Sequence, residues 1–331
     1  MSAKKKNKRK PPKIMLEKKK VFILTSTITI LCILLLFINA FFGKEQKPEP
    51  PQRTEQKAEQ KAQLKPPAED RQKKDTQTQK QDREETTVKS DAGKARQTKP
   101  SYDIPQAQEG STIVFIIDDG GHNLEKLKRY TALPFPITVA VLPGVAETKE
   151  CAAQVVQDGK ELMLHQPMQA ENLSVNPGPC AITPDMSLGE IKDLIRKNLS
   201  ELGSGVKGLN NHEGSLITED EVRIGAVLDA VQECGVYFID SRTTAETKAE
   251  YAAAIRGMTI RHRDIFIDNI IDKKEMAAQI CHGLALANKN GTAIMIGHVD
   301  KSADVLPDLL LDMYPHIIQK GYRIAVPSML Q

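Results

Sequence analysis

Two adjacent carboxylates, Asp118 and Asp119, close the apolar run IVFII and are followed by Gly120 and Gly121. Neighbouring acids at a strand end repel each other and lose hydration unless a cation, hydrogen bonds or a proton offsets the cost. The glycines let the backbone turn sharply over whatever lies there. One reading makes the pair the partner of a cation; in the other, one acid caps the next helix while its neighbour stays solvated. His165 ends ELML ahead of Gln166-Pro167-Met168, and His212 ends VKGLNNH ahead of Glu213-Gly214-Ser215. An acid and two histidines from separate strand ends make an open oxygen and nitrogen donor set that suits zinc or a similar divalent ion, with room for water.

These residues can meet only if the elements between them bring the strand ends together. Eight β-rich runs, at 113–117, 137–142, 161–164, 206–209, 236–239, 259–261, 292–296 and 323–326, alternate with helical patterns at 147–158, 188–202, 219–233, 273–289 and 303–319. Gly159, Gly203, Gly235 and Gly291 follow several of the helical stretches, as helix ends favour. Alternation of this kind implies a parallel sheet. Polar residues follow almost every run: Asp118-Asp119, Pro143-Gly144, His165, Asn210-Asn211-His212, Asp240-Ser241-Arg242 and His298. That pattern predicts an α/β fold over residues 111–331, a distorted (β/α) barrel of seven or eight units, because a barrel gathers its strand ends on one face. An open doubly wound sheet is the structural alternative. Tyr237, Phe238 and Phe266 read as strand residues of the core.

The rest of the chain carries no such pattern. Residues 1–20 are rich in Lys, and residues 21–42 contain no charge, long enough to span a bilayer. The basic flank predicts a cytoplasmic tail and an extracytoplasmic domain. The apolar run is longer than a signal-peptide core and no A-x-A site follows it, which favours an uncleaved anchor. Residues 43–110 are dominated by Gln, Lys, Glu, Thr and Pro and read as a linker. Much of the net charge of +3 is therefore topological and does not indicate a nucleic-acid partner. Beyond Cys32 in the membrane run, Cys151, Cys180, Cys234 and Cys281 show no zinc-finger spacing and read as mostly buried thiols.

Taken in order, IIDDGG, LHQPM, GLNNHEGS, FIDSRTT, RDIFID and IGH resemble the divergent polysaccharide deacetylases, a branch of the carbohydrate esterase superfamily with a distorted (β/α) barrel. The resemblance implies Asp118 as general base, Asp119 and His165 as metal ligands, and His298 as general acid, in hydrolysis of an N- or O-acetyl group on a cell-envelope glycan. Where the superfamily has a second histidine four positions after the first, this chain has Gln169, and His212 is expected to fill the vacancy. Asp240 is expected to pair with a histidine, and Arg242 to orient Asp118 or a substrate group; the alternative is an Arg–Asp pair closing the barrel end. Asn210 and Asn211 either bond sugar hydroxyls or shape the turn at His212. Arg263, Asp264 and Asp268 form a further polar strand end of unassigned direction. His122, His262, His282 and His316 read as structural, His122 being near enough to the acid pair to line the site. The alternative function is a catalytically inactive, membrane-tethered carbohydrate-binding or envelope-assembly module.

Overall fold

The computed structural model describes residues 102–330. The expected cytoplasmic tail, the membrane anchor and residues 43–101 of the linker lie outside the described residues. Packing begins at Tyr102, earlier than the expected boundary at Ser111. The Tyr102 ring meets that of His316 edge-on at 6.2 Å, Ile104 is buried, and Ala107 N–H donates to the Lys320 carbonyl at 2.9 Å. Tyr102 and Ile104 supply the apolar anchorage that the polar residues before them lack.

The strands are β1 (Thr112–Gly120), β2 (Thr138–Val141), β3 (Glu161–Met168), β4 (Val206–Glu213), β5 (Tyr237–Asp240), β6 (Arg261–His262), β7 (Ile265–Phe266), β8 (Thr292–His298) and β9 (Arg323–Ala325). They form one sheet in the order β6-β5-β4-β3-β2-β1-β8-β7, with β9 added beside the start of β1. Every pairing is parallel. β6 and β7 end the path yet are separated in sequence only by Arg263 and Asp264. Arg263 N–H donates to the Asp240 carbonyl and Asp264 N–H to the Ile294 carbonyl, at 2.9 and 2.8 Å. The curled sheet is thus bridged by two consecutive residues of the chain where a closed barrel would have a strand ladder. The open doubly wound alternative does not hold.

Helices α1 (Leu124–Thr131), α2 (Thr148–Gln157), α3 (Leu188–Leu202), α4 (Ser215–Glu219), α5 (Glu221–Cys234), α6 (Ala249–Ile255), α7 (Lys273–Asn290), α8 (Val299–Ser302) and α9 (Leu306–Gln319) make the crossovers. The start of α3 carries a capping box between Ser187 and Glu190, which fixes that boundary in the sequence. The helix expected over 219–233 is α5, started by the Asp220 carboxylate, which accepts from Val222 and Arg223 N–H, and the short α4 precedes it. The short α1 and α6 carry too little periodicity to be predicted.

Strand parity sorts the side chains. Ile113, Phe115 and Ile117 of β1 face the helices, with Leu162 and Leu164 of β3 and Ala293 and Met295 of β8. Val114, Ile116, Ala140, Met163, Ile239, Ile294 and Ile296 fill the narrow interior. Gly208 of β4 leaves room inside for Tyr237, whose hydroxyl donates to Glu161 at 2.5 Å. A Cβ at Gly208 would lie 2.1 Å from the Tyr237 ring, and such overpacking costs about 1–3 kcal/mol. Gly208→Ala is therefore expected to lower the denaturant midpoint with the m-value unchanged; an unaltered midpoint would contradict this packing.

Candidate metal and acid–base site

Continuing the inward parity by one step past the apolar interior gives the site. Val114 and Ile116 lead to Asp118, Met163 to His165, Gly208 to Asn210 and His212, Ile239 to Ser241, Phe266 to Asp268, and Ile296 to His298. Register agrees, since Asp118 pairs with His298 and His165 with Asn210 across the sheet. Asp118, His165, Asn210, Ser241, Asp268 and His298 thus form a layer at the C-terminal end of the barrel, with His212 one inward position further along β4.

Asp119 has the wrong parity to join them, and the backbone corrects it. The pairing of β1 with β2 slips between Ile117 and Gly120, and Asp119 takes the left-handed conformation, φ 62°. A non-glycine residue held there stores about 1–3 kcal/mol of strain. The following Gly121 has φ 120°, and a Cβ there would strike Val145 at 2.7 Å. The turn expected of the two glycines is what returns the second carboxylate to the site.

Asp119, His165 and His212 form a compact donor cluster. Asp119 Oδ1 lies 3.2 Å from His165 Nε2 and 3.0 Å from His212 Nδ1, and the two nitrogens are 3.1 Å apart. Asp119 Oδ1 is buried and receives no hydrogen bond of proper geometry. An orphaned carboxylate oxygen facing two imidazole nitrogens fits a metal ion, and edges of about 3 Å match donors around one ion at roughly 2.0–2.1 Å. Burial raises the Asp119 pKa, but His165 and His212 outweigh it and hold the carboxyl far below its ordinary range. Gln169 takes no part, its amide donating to the Ala170 and Val175 carbonyls of its own loop.

Asn210 links this cluster to Asp118. Its amide nitrogen donates to both Asp118 oxygens, at 2.9 and 3.1 Å, which turns its oxygen toward His165 Nδ1 at 2.8 Å. The oxygen accepts the Nδ1 proton, leaving the Nε2 lone pair for the donor cluster, the usual way a neighbour fixes the tautomer of a metal-binding histidine. Asn210 therefore does neither task predicted for it. Asn211 does shape the turn: it accepts from Ser241 N–H at 2.9 Å and donates to the Glu213 carbonyl at 2.8 Å. Asp118 is 1% exposed, and burial raises its pKa against the lowering pull of His165, His298 and Asn210.

Two expectations need correction. Asp240 pairs with no histidine: its parity turns it outward, and its carboxylate accepts from Arg242 N–H and the Thr247 hydroxyl, both at 2.8 Å. The histidine's partner is Asp268, which accepts from His298 Nδ1 at 2.8 Å and from His298 N–H at 2.7 Å. Parity counted from Phe266 would have found it. Arg242 is exposed and makes no ion pair with Asp240, and Asp118 is oriented by Asn210 in its place. Burial lowers the His298 pKa, but Asp268, Asp118 and Asp119 outweigh it and raise the net value. Among the other histidines, His122 and His282 are exposed, and His262 is half-buried at the rim. Of the four cysteines expected to be mostly buried, only Cys151 is, and all four are free.

Fold and site together define a curled, incompletely closed (β/α) barrel of the polysaccharide deacetylase type. The chain belongs to the divergent polysaccharide deacetylase family, whose model matches residues 115–331. The uncharacterized protein YibQ of Escherichia coli strain K12 is 31% identical over 207 residues, 62% of this chain and 64% of that protein. An uncharacterized protein of Haemophilus influenzae strain KW20 is 28% identical over 189 residues, 57% of this chain and 66% of that protein. The match thus spans just under two thirds of those relatives. The crystal structure of an uncharacterized protein from Agrobacterium tumefaciens C58 shares the fold, with a TM-score of 0.60 at 14% identity over 70% of this chain and 92% of that one.

In the ion-free site, burial lowers the His165 pKa, but Asp118 and Asp119 outweigh it and raise it to about 9. An incoming ion must displace that proton below this pH. Chelator-competition titrations are expected to show metal affinity rising about tenfold per pH unit through neutrality and levelling above that value. Affinity independent of pH would contradict His165 as a ligand, and an affinity in His212→Ala equal to the parent's would remove His212 from the set.

Proposed function

We propose that the chain is a metal-dependent hydrolase that removes an N- or O-acetyl group from a cell-envelope glycan. The observation that carries this reading is the placement of Asp118 and His298 as register partners beside one metal-binding cluster, each held by its own buried polar residue. A divalent ion held by Asp119, His165 and His212, for which the donor chemistry favours zinc, would polarise the acyl oxygen and lower the pKa of water.

The chain's own residues divide the proton work. Asp118, made more basic by burial, takes the proton of the attacking water. Asn210 grips both its oxygens and keeps it aimed. His298 gives a proton to the departing amine or alkoxide, and Asp268 keeps its ring in place and its acid form populated. Acid and base on facing strands suit general acid–base hydrolysis. The charge-free run 21–42 supports a membrane tether with residues 1–20 cytoplasmic, and residues 43–101 a spacer that presents the domain outside the membrane.

Acetate release from acetylated oligosaccharides tests the assignment. Asp118→Ala is expected to lower kcat by about 10²–10⁴-fold while metal stays bound; unchanged release would remove Asp118 as base. Metal binding with no turnover by the parent chain would favour the inactive binding module.

Asp268→Asn supplies a pH test. Activity requires protonated His298 and falls as pH rises through its pKa. Loss of the Asp268 carboxylate lowers that pKa, so the alkaline limb of the kcat profile is expected to move to lower pH. A limb that stays in place would contradict the pairing.

A further inference from the structure

Two arginines, Arg242 and Arg263, stand at the same end of the barrel, and neither is in ion-pair contact with an acid among the described residues. The Arg263 guanidinium lies 3.7 Å over the Phe266 ring, and that ring neighbours His298 with centroids 5.5 Å apart. Its Nε donates to the Ser241 carbonyl and its Nη2 to the Arg242 carbonyl, both at 2.7 Å. Nη1 has no partner among the described residues.

Arg242 sits beside it. Its backbone is left-handed, φ 48°, held there by the Asp240 carboxylate on its N–H. Its exposed side chain makes no hydrogen bond or ion pair among the described residues. Glycine would take this conformation without strain but would bring no charge.

The carboxylates nearby are engaged elsewhere. Asp240 bonds Arg242 N–H and Thr247, Asp264 accepts from Ile294 N–H at 2.8 Å, and Glu219 accepts from the Thr244 hydroxyl at 2.6 Å. Arg242, Thr244, Ala245, His262, Arg263 and Asp264 line a cavity of about 350 Å³. Burial and the neighbouring Arg242 charge push the Arg263 guanidinium below its ordinary pKa, outweighing the opposite pull of Asp240, Asp264 and Asp118. As with paired carboxylates, two like charges beside a cavity favour a bound group of opposite sign, and planar guanidinium forks suit carboxylate and phosphate oxygens.

We propose that this cavity binds an anionic group, a carboxylate or a phosphate, carried by the glycan whose acetyl group reaches the metal and acid–base site. The inference rests on the reading that a glycan occupies that site and names the kind of glycan selected. Arg263 stacks on Phe266, and Phe266 neighbours His298, so the anion would lie on the side of the site that holds the acid protonating the leaving group.

Direct binding titrations of the full chain can decide this without turnover. The probes are three acetylated oligosaccharides of equal length, one neutral, one carboxylated and one phosphorylated. The parent is expected to bind a charged probe about tenfold more tightly than the neutral one, with the preference shrinking as salt rises, and the better charged probe identifies the anion. Arg242→Glu is expected to abolish or reverse the preference, and Arg242→Lys to keep most of it. Equal affinity for all three probes in the parent, or a preference that survives Arg242→Glu, would overturn the proposal. Acetate release measured in parallel separates the two readings. A charge preference without acetate release leaves the anion site standing and removes the hydrolase. Acetate release without a preference does the reverse.

Discussion

Everything at the site depends on the narrowness of a barrel whose interior holds only seven fully buried apolar side chains. In so tight a cylinder, alternate residues of each strand must point at one axis. The first inward position beyond the apolar filling is then within reach of its counterparts on other strands. Asp118, His165, Asn210, Ser241, Asp268 and His298 occupy that position, which is why residues up to 180 positions apart, as Asp118 and His298 are, form one polar layer. The cost is concentrated there too. Buried carboxylates and imidazoles must find partners or an ion, and the layer is arranged so that nearly all do.

Asp119 is the exception that gives the layer its chemistry. Regular strand geometry would point it toward the helices. The slip in β1 and the left-handed backbone turn it back, and its Oδ1 ends among two imidazoles with no hydrogen-bond donor of its own. Strain and an orphaned acceptor at one residue are features that folding alone would remove, and an ion would relieve the second. Asn210 then works on both sides at once. One amide fixes the ring of a metal-binding histidine and the aim of the proposed base, so the metal and proton functions are mechanically joined.

Much of this was legible in the sequence, and what was missed has a physical reason. The parallel barrel followed from alternation, and the donor trio from strand-ending polar residues together with the family motifs. The extent of α3 followed from apolar spacing and a trailing glycine. A place at a strand end does not give Asp240 its direction; parity sends it outward to Thr247. Asp268 was left without a role because β7 is only two residues long, too short to display alternation by itself. The linking role of Asn210 is not legible, since His165 and Asp118 come from strands 45 and 92 positions away. The gap between β6 and β7 was invisible for a similar reason: closure by Arg263 and Asp264 leaves no pattern in composition.

One divalent ion held by Asp119, His165 and His212, with Gln169 taking no part, is the proposal on which the other roles rest. X-ray absorption at the metal edge of the zinc-loaded chain reads the donor atoms directly. The expected spectrum shows two imidazole rings and otherwise oxygen in the first shell, falling to one imidazole in His212→Ala. A thiolate donor, or two imidazoles persisting in that variant, would contradict the account.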